Sequence, residues 1–265
     1  MSRVESVRSQ ARTATRSQRF WEVDAVRGVA IVMMVIYHLM WDLWVFGVLP
    51  NVVLWAGFWK YFQRTTATLF ITLVGVSLTI SYNRALASRG SKGLYWKFFK
   101  RGLMIFGLGM LITVVLWALQ TAGLFQAHIE FGVLHLIGFS IIVAYPFLRF
   151  RWLNFFLWMA FFVAGWFVQQ MHVDTTWLVW LGLTPVRYTP VDFFPVIPWF
   201  GVVLLGIFLG NTLYPEGIRS FPLVDYSTVI PVRVLDFLGR HSLLIYMIHQ
   251  PILFAILMLI GVAGF

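Results

Sequence analysis

The chain has 265 residues, of which 60% are hydrophobic and only 11% are charged, and it contains no cysteine. Soluble domains carry about 25% charged residues, so this composition excludes an ordinary soluble domain and indicates a membrane protein with several spans. The missing cysteine excludes disulfides, thiolate nucleophiles and cysteine-ligated clusters. The formal charge of +10 does not require a nucleic-acid partner, because the basic residues gather on one side of the predicted membrane topology.

Residues 1–20 are predicted to form a basic cytoplasmic tail ahead of a membrane domain that occupies 21–265. The tail carries five arginines against one acidic residue, Glu5, and it lacks the apolar core of a cleavable signal peptide. The simplest interpretation is a tail that fixes the orientation of the first span. An address peptide or a contact with lipid headgroups is the alternative.

The first predicted span is apolar enough to cross a membrane, yet it carries a polar stripe formed by Asp24, Arg27, His38 and Asp42. On an α-helix the four side chains lie within about 60° of one line along the axis. An ionised residue near the middle of a bilayer costs about 2.5–3.5 kcal/mol even on the lenient insertion scale. The polar stripe is therefore expected to face the protein interior or a watery cavity rather than lipid.

His38 is the strongest candidate for a catalytic base. It lies about 14 residues, or about 21 Å, from the cytoplasmic start of the span, in the predicted external half of the membrane. Asp42 follows one turn later and is predicted to accept a hydrogen bond from one ring nitrogen, which would leave the other as a base. A lone histidine is more readily explained by a bond to a nearby carbonyl, but its place in the polar stripe favours a function. Arg27 has two interpretations. It either binds an anionic cofactor or only extends its charged group to the cytoplasmic membrane surface.

The hydropathy pattern predicts an all-α fold, a polytopic membrane helix bundle of about seven transmembrane spans. The predicted spans are 23–46, 65–83, 98–119, 131–149, 152–171, 197–214 and 242–263. With the N-terminus in the cytoplasm, all but three of the 20 basic residues lie inside, the exceptions being Lys60, Arg64 and Arg187. The expected location is the plasma (inner) membrane, with an external C-terminus.

Further candidates lie around the fourth span and the connection after the fifth: His135 for catalysis, and Glu130, Asp192 and Trp199 for binding the substrate. His135 is predicted at a depth similar to that of His38, with Glu130 at the mouth of the same cavity. Asp192 and Trp199 flank two prolines at the end of the connection 172–199. These prolines predict either an irregular backbone that lines a cavity or a proline-marked helix start.

The last span carries His249, which shares one helix face with Ser242 and Tyr246 and is followed by Pro251. A proline at this position predicts a bend in the helix. His249 is interpreted either as a catalytic residue or as a structural one that satisfies carbonyls freed by the bend.

Three segments carry a resemblance to a known family. They are RFWEVDAVRGVAIVMMVIYHLMWDL, DFFPVIPWFG and LGRHSLLIYMIHQP. Together they resemble the DUF1624 family, the prokaryotic relatives of heparan-alpha-glucosaminide N-acetyltransferase, over nearly all of 19–262. The ten residues between Arg27 and His38 also resemble the Arg-x10-His motif of the broader membrane acyltransferase superfamily.

The resemblance implies an enzyme that takes an acyl group from cytoplasmic acyl-CoA, typically acetyl-CoA, and delivers it to a sugar hydroxyl or amine at the external face. It implies His38 as the catalytic histidine and Arg27 as a ligand of the donor phosphates, near Asp24 and the basic residues around Arg101. The lysosomal branch places its active histidine after the first span, where 47–64 has none here, so His38 is assigned from the wider superfamily. The expected partners are membrane lipid and a glycan or glycolipid acceptor, with a homodimer left open.

Two other functions remain open at this stage. His38 and His135, on different helices at a similar depth, would suit the axial ligands of a haem in a redox protein. Buried aspartate, arginine and histidine are also typical of proton-coupled transporters. Apart from haem, the sequence predicts no metal site.

Overall fold

The computed structural model describes residues 19–123, 128–188 and 190–262. These residues form eight α-helices and no β-strand, apart from an isolated bridge between His172 and Thr184. The helices are α1 (Trp21–Val45), α2 (Gly57–Arg89), α3 (Leu94–Thr121), α4 (Val133–Val143), α5 (Trp152–Val168), α6 (Val196–Leu213), α7 (Ile230–Arg240) and α8 (Ser242–Leu259). The predicted basic tail lies outside the described residues, except for its last two.

The predicted all-α membrane bundle is confirmed. Five helices, α1, α2, α3, α6 and α8, are long and apolar enough to cross a membrane, and α4 and α5 are shorter apolar helices of 11 and 17 residues. At ~1.5 Å per residue α5 measures about 25 Å and α4 about 16 Å, so α4 covers about half of the ~30 Å hydrocarbon layer. Each predicted span thus contains a helix, but the one in 131–149 is only a half-length helix.

The chain divides into two compact units, and the described residues of the first are 19–73 and 222–262. Its centre is α1, which packs against α7 and α8. A Cβ atom on Gly28 would overlap the backbone of Leu235, and one on Gly239 would overlap the carbonyl of Asp24. The backbones of α1 and α7 therefore touch at these two glycines, with no side chain between them.

Helix α7 was not predicted from the sequence, which indicated only a basic connection there. Its apolar residues Ile230, Val234 and Phe237 follow helical spacing and are 74%, 52% and 59% exposed, beside three charged side chains. A short helix with one apolar and one charged face is typical of the membrane interface. Its low mean hydropathy hides it from a search for spans.

The second unit contains the described residues of 74–221, including the C-terminal part of α2. Helix α3 packs on α4, and α5 packs on α6. Helix α6 begins after Pro195 and has a non-helical residue at Ile197, followed by a cis bond to Pro198. The proline pair therefore marks a helix start, as one of the two alternatives predicted, and it also contains a local break in the helical backbone.

Candidate active site

The N-terminal end of the polar stripe is held by ion pairs within the first unit. The Arg27 guanidinium lies 2.5 Å from Asp24 Oδ1 and donates at 3.5 Å to the carbonyl of Gly239 on α7. Arg240 lies 4.0 Å from Asp24 Oδ2 and 2.6 Å from Asp236. The Asp24 and Arg27 side chains are only 10% and 19% exposed. These residues therefore face α7, as the sequence predicts for the polar stripe.

The middle of the polar stripe is a contact between two histidines. The Nδ1 atom of His38 lies 2.5 Å from Nε2 of His249 on α8. The ring centroids are 4.7 Å apart and the ring planes differ by 12°. Face-to-face rings would keep all their atoms farther apart than 2.5 Å, so the rings meet edge to edge, as an N–H···N hydrogen bond requires.

His249 makes a second hydrogen bond within its own helix. Its Nδ1 atom donates to the carbonyl of Tyr246 at 2.7 Å. The contact lies in the turn before Pro251, which is inside α8 and has no N–H to continue the ladder of backbone bonds. His249 is thus held at both nitrogens, one by its own helix and one by α1.

At the C-terminal end of the polar stripe, the structure differs from the prediction for Asp42. The expected hydrogen bond between Asp42 and His38 does not form; Asp42 Oδ1 instead accepts from the side-chain Nε2 of Gln250 at 2.6 Å. Asp42 is 1% exposed, and its Oδ2 atom and the Oε1 atom of Gln250 are buried without a hydrogen-bond partner among the described residues. His249 and Gln250, consecutive on α8, thus bind residues one turn apart on α1.

The second unit contains the other histidine predicted for the membrane interior. His135 is 2% exposed, and its Nδ1 atom accepts a hydrogen bond from the backbone N–H of Gly132 at 3.2 Å. Its ring lies edge-on to Phe106, with 5.1 Å between centroids, and a Cβ atom on Gly109 would meet it at 3.1 Å. His135 therefore packs between α3 and α4 and is bonded at the start of α4.

The predicted substrate residues of the second unit make structural contacts. Asp192 Oδ2 accepts from the backbone N–H of Val133 at 3.0 Å, which satisfies one of the open donors at the N-terminus of α4. Glu130 accepts from the hydroxyl of Tyr188 at 3.1 Å. The ring of Trp199 lies 4.9 Å from that of Phe194. Arg101 is exposed on α3.

Glu130 also lines a shallow recess of about 300 Å³ in the second unit. Phe131, Trp177 and Trp180 contribute aromatic surface to it, and Trp177 is 85% exposed. An acidic group beside aromatic rings suits a ligand with an apolar face and hydrogen-bond donors. Glu130 was predicted from the sequence but Trp177 and Trp180 were not, because the connection 172–199 has no periodic pattern that indicates which side chains lie together.

The first unit thus brings Asp24, Arg27, His38 and Asp42 together with His249, whereas His135, Glu130, Asp192, Trp199 and Arg101 belong to the second unit. Gln250 and Gly239 were not predicted as site residues. Their only signal in the sequence is their position beside His249 and Arg240.

Comparison with known proteins gives one family. The family model described as heparan-alpha-glucosaminide N-acetyltransferase, catalytic, matches residues 19–251. No curated protein and no solved structure matches the chain. The matched region contains α1 to α7 and the part of α8 that carries His249 and Gln250. The chain therefore belongs to the heparan-alpha-glucosaminide N-acetyltransferase catalytic family, whose members are membrane acetyltransferases.

Proposed function

We propose that this protein moves an acyl group, typically acetyl, from cytoplasmic acyl-CoA to a hydroxyl or amine of a glycan or glycolipid on the external side of the plasma membrane. The observation that carries the proposal is the polar stripe of α1. Its ionisable residues contact α7 and α8 inside the protein rather than lipid. Burying such residues in a membrane protein is costly and is typical of a functional site.

The spacing along α1 suits a donor with two distant ends. Arg27 and His38 are eleven residues apart, or about 16 Å along the helix. Acyl-CoA carries its phosphates and its thioester at opposite ends of a long arm, so Arg27 can bind a phosphate while the thioester lies near His38. The contacts from Asp24 and the Gly239 carbonyl hold the Arg27 guanidinium in place for this role.

The chemistry needs a base beside the acceptor. A hydroxyl or amine attacks a thioester faster when a positioned group takes its proton, an effect of about 10²–10⁴-fold. His38 is our candidate for this base, or for a transient carrier of the acyl group.

The orientation follows from the charges of the connections. With the N-terminus inside, the basic residues place the start of α1 and Arg27 at the cytoplasmic face, where the donor is found. His38 then lies in the external half of the membrane, on the side of the acceptor. This arrangement supports transfer across the membrane rather than within one compartment.

The proposal is tested with purified protein, radiolabelled acetyl-CoA and a panel of free and lipid-linked sugars. We expect wild-type protein to label a sugar, and we expect His38→Ala to insert and purify normally but to lose about 100-fold or more of the transfer rate. His172→Ala, which changes an exposed histidine of the second unit, serves as the matched control and should retain the rate. Transfer by His38→Ala at the wild-type rate would remove His38 from the mechanism.

The same purified protein also distinguishes the acyltransferase from a haem protein and from a transporter. A Soret band in the visible spectrum would support a haem protein, and uptake of an unchanged solute into proteoliposomes would support a transporter. Either result, with no labelled sugar, would contradict an acyltransferase.

A further inference from the structure

The two hydrogen bonds of His249 determine where its proton lies. A carbonyl oxygen can only accept, so Nδ1 of His249 must carry the hydrogen that Tyr246 accepts. A neutral imidazole has one N–H group, so Nε2 of His249 is then an acceptor. The histidine on α1 must supply the donor for the contact between them.

The protonation of His249 in turn determines which ring nitrogen of His38 carries a hydrogen. Its Nδ1 atom lies 2.5 Å from the acceptor Nε2 of His249, so Nδ1 carries the hydrogen in the neutral pair. The Nε2 atom of His38 is then unprotonated and holds a lone pair. The contact thus selects the less common tautomer of His38, the one whose Nε2 atom can act as a base.

We propose that His249 is a positioning residue that fixes this tautomer and holds the His38 ring in place. The role is the one predicted from the sequence for Asp42, which the structure shows bound to Gln250 instead. The inference deepens the proposed function and rests on it for the chemical step, but the tautomer itself can be measured without turnover.

In that step the Nε2 atom of His38 takes the proton of the acceptor hydroxyl or amine as the acceptor atom bonds to the acetyl carbon. The carbon–sulfur bond breaks, and the proton passes to the departing sulfur, so the products are the acetylated acceptor and the CoA thiol. While His38 holds the proton, its Nδ1–H still donates to His249. The positive charge is shared with a second ring that is itself anchored to the Tyr246 carbonyl.

The first test is nitrogen NMR of protein labelled with ¹⁵N-histidine in nanodiscs, with the His38 signals assigned from their loss in His38→Asn. We expect the wild-type His38 to be protonated at Nδ1 and bare at Nε2. In His249→Ala we expect His38 to shift toward the Nε2–H tautomer that free histidine prefers. A wild-type His38 protonated at Nε2, or an unchanged tautomer in His249→Ala, would overturn the inference.

The second test is kinetic. We expect His249→Ala to lower kcat by about 100-fold with little change in the KM for acetyl-CoA, because the base is misplaced and the donor site is intact. His249→Gln keeps an acceptor oxygen for the His38 Nδ1–H and should recover most of both the tautomer and kcat. If His249 were purely structural, glutamine would not rescue activity better than alanine. An equal loss of kcat in His249→Ala and His249→Gln, with the Nδ1–H tautomer of His38 kept in both, would therefore contradict a positioning role.

His241 supplies the matched control. Its Nδ1 atom also bonds a backbone carbonyl, that of Phe237, at 2.8 Å, but the residue is exposed and lies before α8. His241→Ala should leave both the His38 tautomer and kcat unchanged. If wild-type protein shows the Nδ1–H tautomer but transfers nothing to any sugar, the proposed function fails while the positioning contact stands.

Discussion

At the scale of single residues, the sequence predicted which polar side chains share one side of α1 but not their partners. Helical spacing alone places Asp24, Arg27, His38 and Asp42 on one side of α1, and the structure buries that side against α7 and α8. The same spacing predicted a bond between His38 and Asp42. Both residues instead find partners on α8, His249 and Gln250.

The prediction for His38 and Asp42 failed because helical spacing identifies only the possible partners within the same helix. Neighbours one turn apart on a helix compete with side chains from another helix, and the register of α8 against α1 depends on packing over the whole interface. The last span shows His249 just before Pro251, but nothing in this sequence indicates that His249 contacts His38, 211 residues away.

Tyr188 provides a test outside the membrane spans. Burial, the charge of Glu130 and their hydrogen bond raise the pKa of Tyr188 above its ordinary value. The folded protein thus holds the phenolic proton more tightly than the unfolded chain, so this contribution to stability is complete below about pH 10 and is lost as the pH rises through the folded pKa.

We therefore expect the Tm of wild-type protein to fall above about pH 10, and that of Tyr188→Phe to fall less steeply. Thermal unfolding in detergent across this pH range measures the difference. Tyr61→Phe removes an exposed tyrosine and serves as the control. Parallel curves for Tyr188→Phe and wild-type protein would show that the contact with Glu130 does not act on stability.

At the scale of elements, long apolar helices are predicted well and short ones poorly. Length and hydropathy identify α1, α2, α3, α6 and α8, since a membrane demands about 20 apolar residues in a row. Helix α4 was predicted as a full span because the apolar residues continue beyond its end at Val143. Helix α7 was missed because charged residues alternate with its apolar residues along the sequence, so no apolar run marks it as a span.

The close approach of α1 and α7 gives a prediction at this scale. In Gly28→Ala the added methyl group overlaps the backbone of Leu235, so the helices must separate. We expect a loss of about 1–3 kcal/mol of stability, with a lower rate of acetyl transfer because α7 holds Arg27 through the Gly239 carbonyl.

Gly107→Ala is the matched control for this substitution. Gly107 is inside α3, and a Cβ atom there meets nothing within 4 Å. Alanine favours a helix over glycine by about 0.5–1 kcal/mol, so Gly107→Ala should leave stability equal or higher. The same change in Tm for both variants would show that the glycines do not set the distance between α1 and α7.

At the scale of the whole molecule, composition predicted the class of protein and the family match supplied the class of reaction. The division of the chain into two units could not be predicted, because the apolar pattern of α2 continues without a break between Leu73 and Val74, where the chain is divided. The acceptor of the proposed reaction could not be predicted either, because no motif in the connections between the helices is specific for a sugar.

In the proposed function, donor and acceptor come from opposite sides of the membrane and His38 catalyses the transfer between them. It is tested most directly with inside-out membrane vesicles, which expose the cytoplasmic face, by adding labelled acetyl-CoA outside after an acceptor sugar has been trapped inside. We expect the trapped sugar to become labelled in wild-type vesicles and to stay unlabelled in His38→Ala vesicles. Label found only on sugar supplied outside, or equal label in both kinds of vesicle, would contradict it.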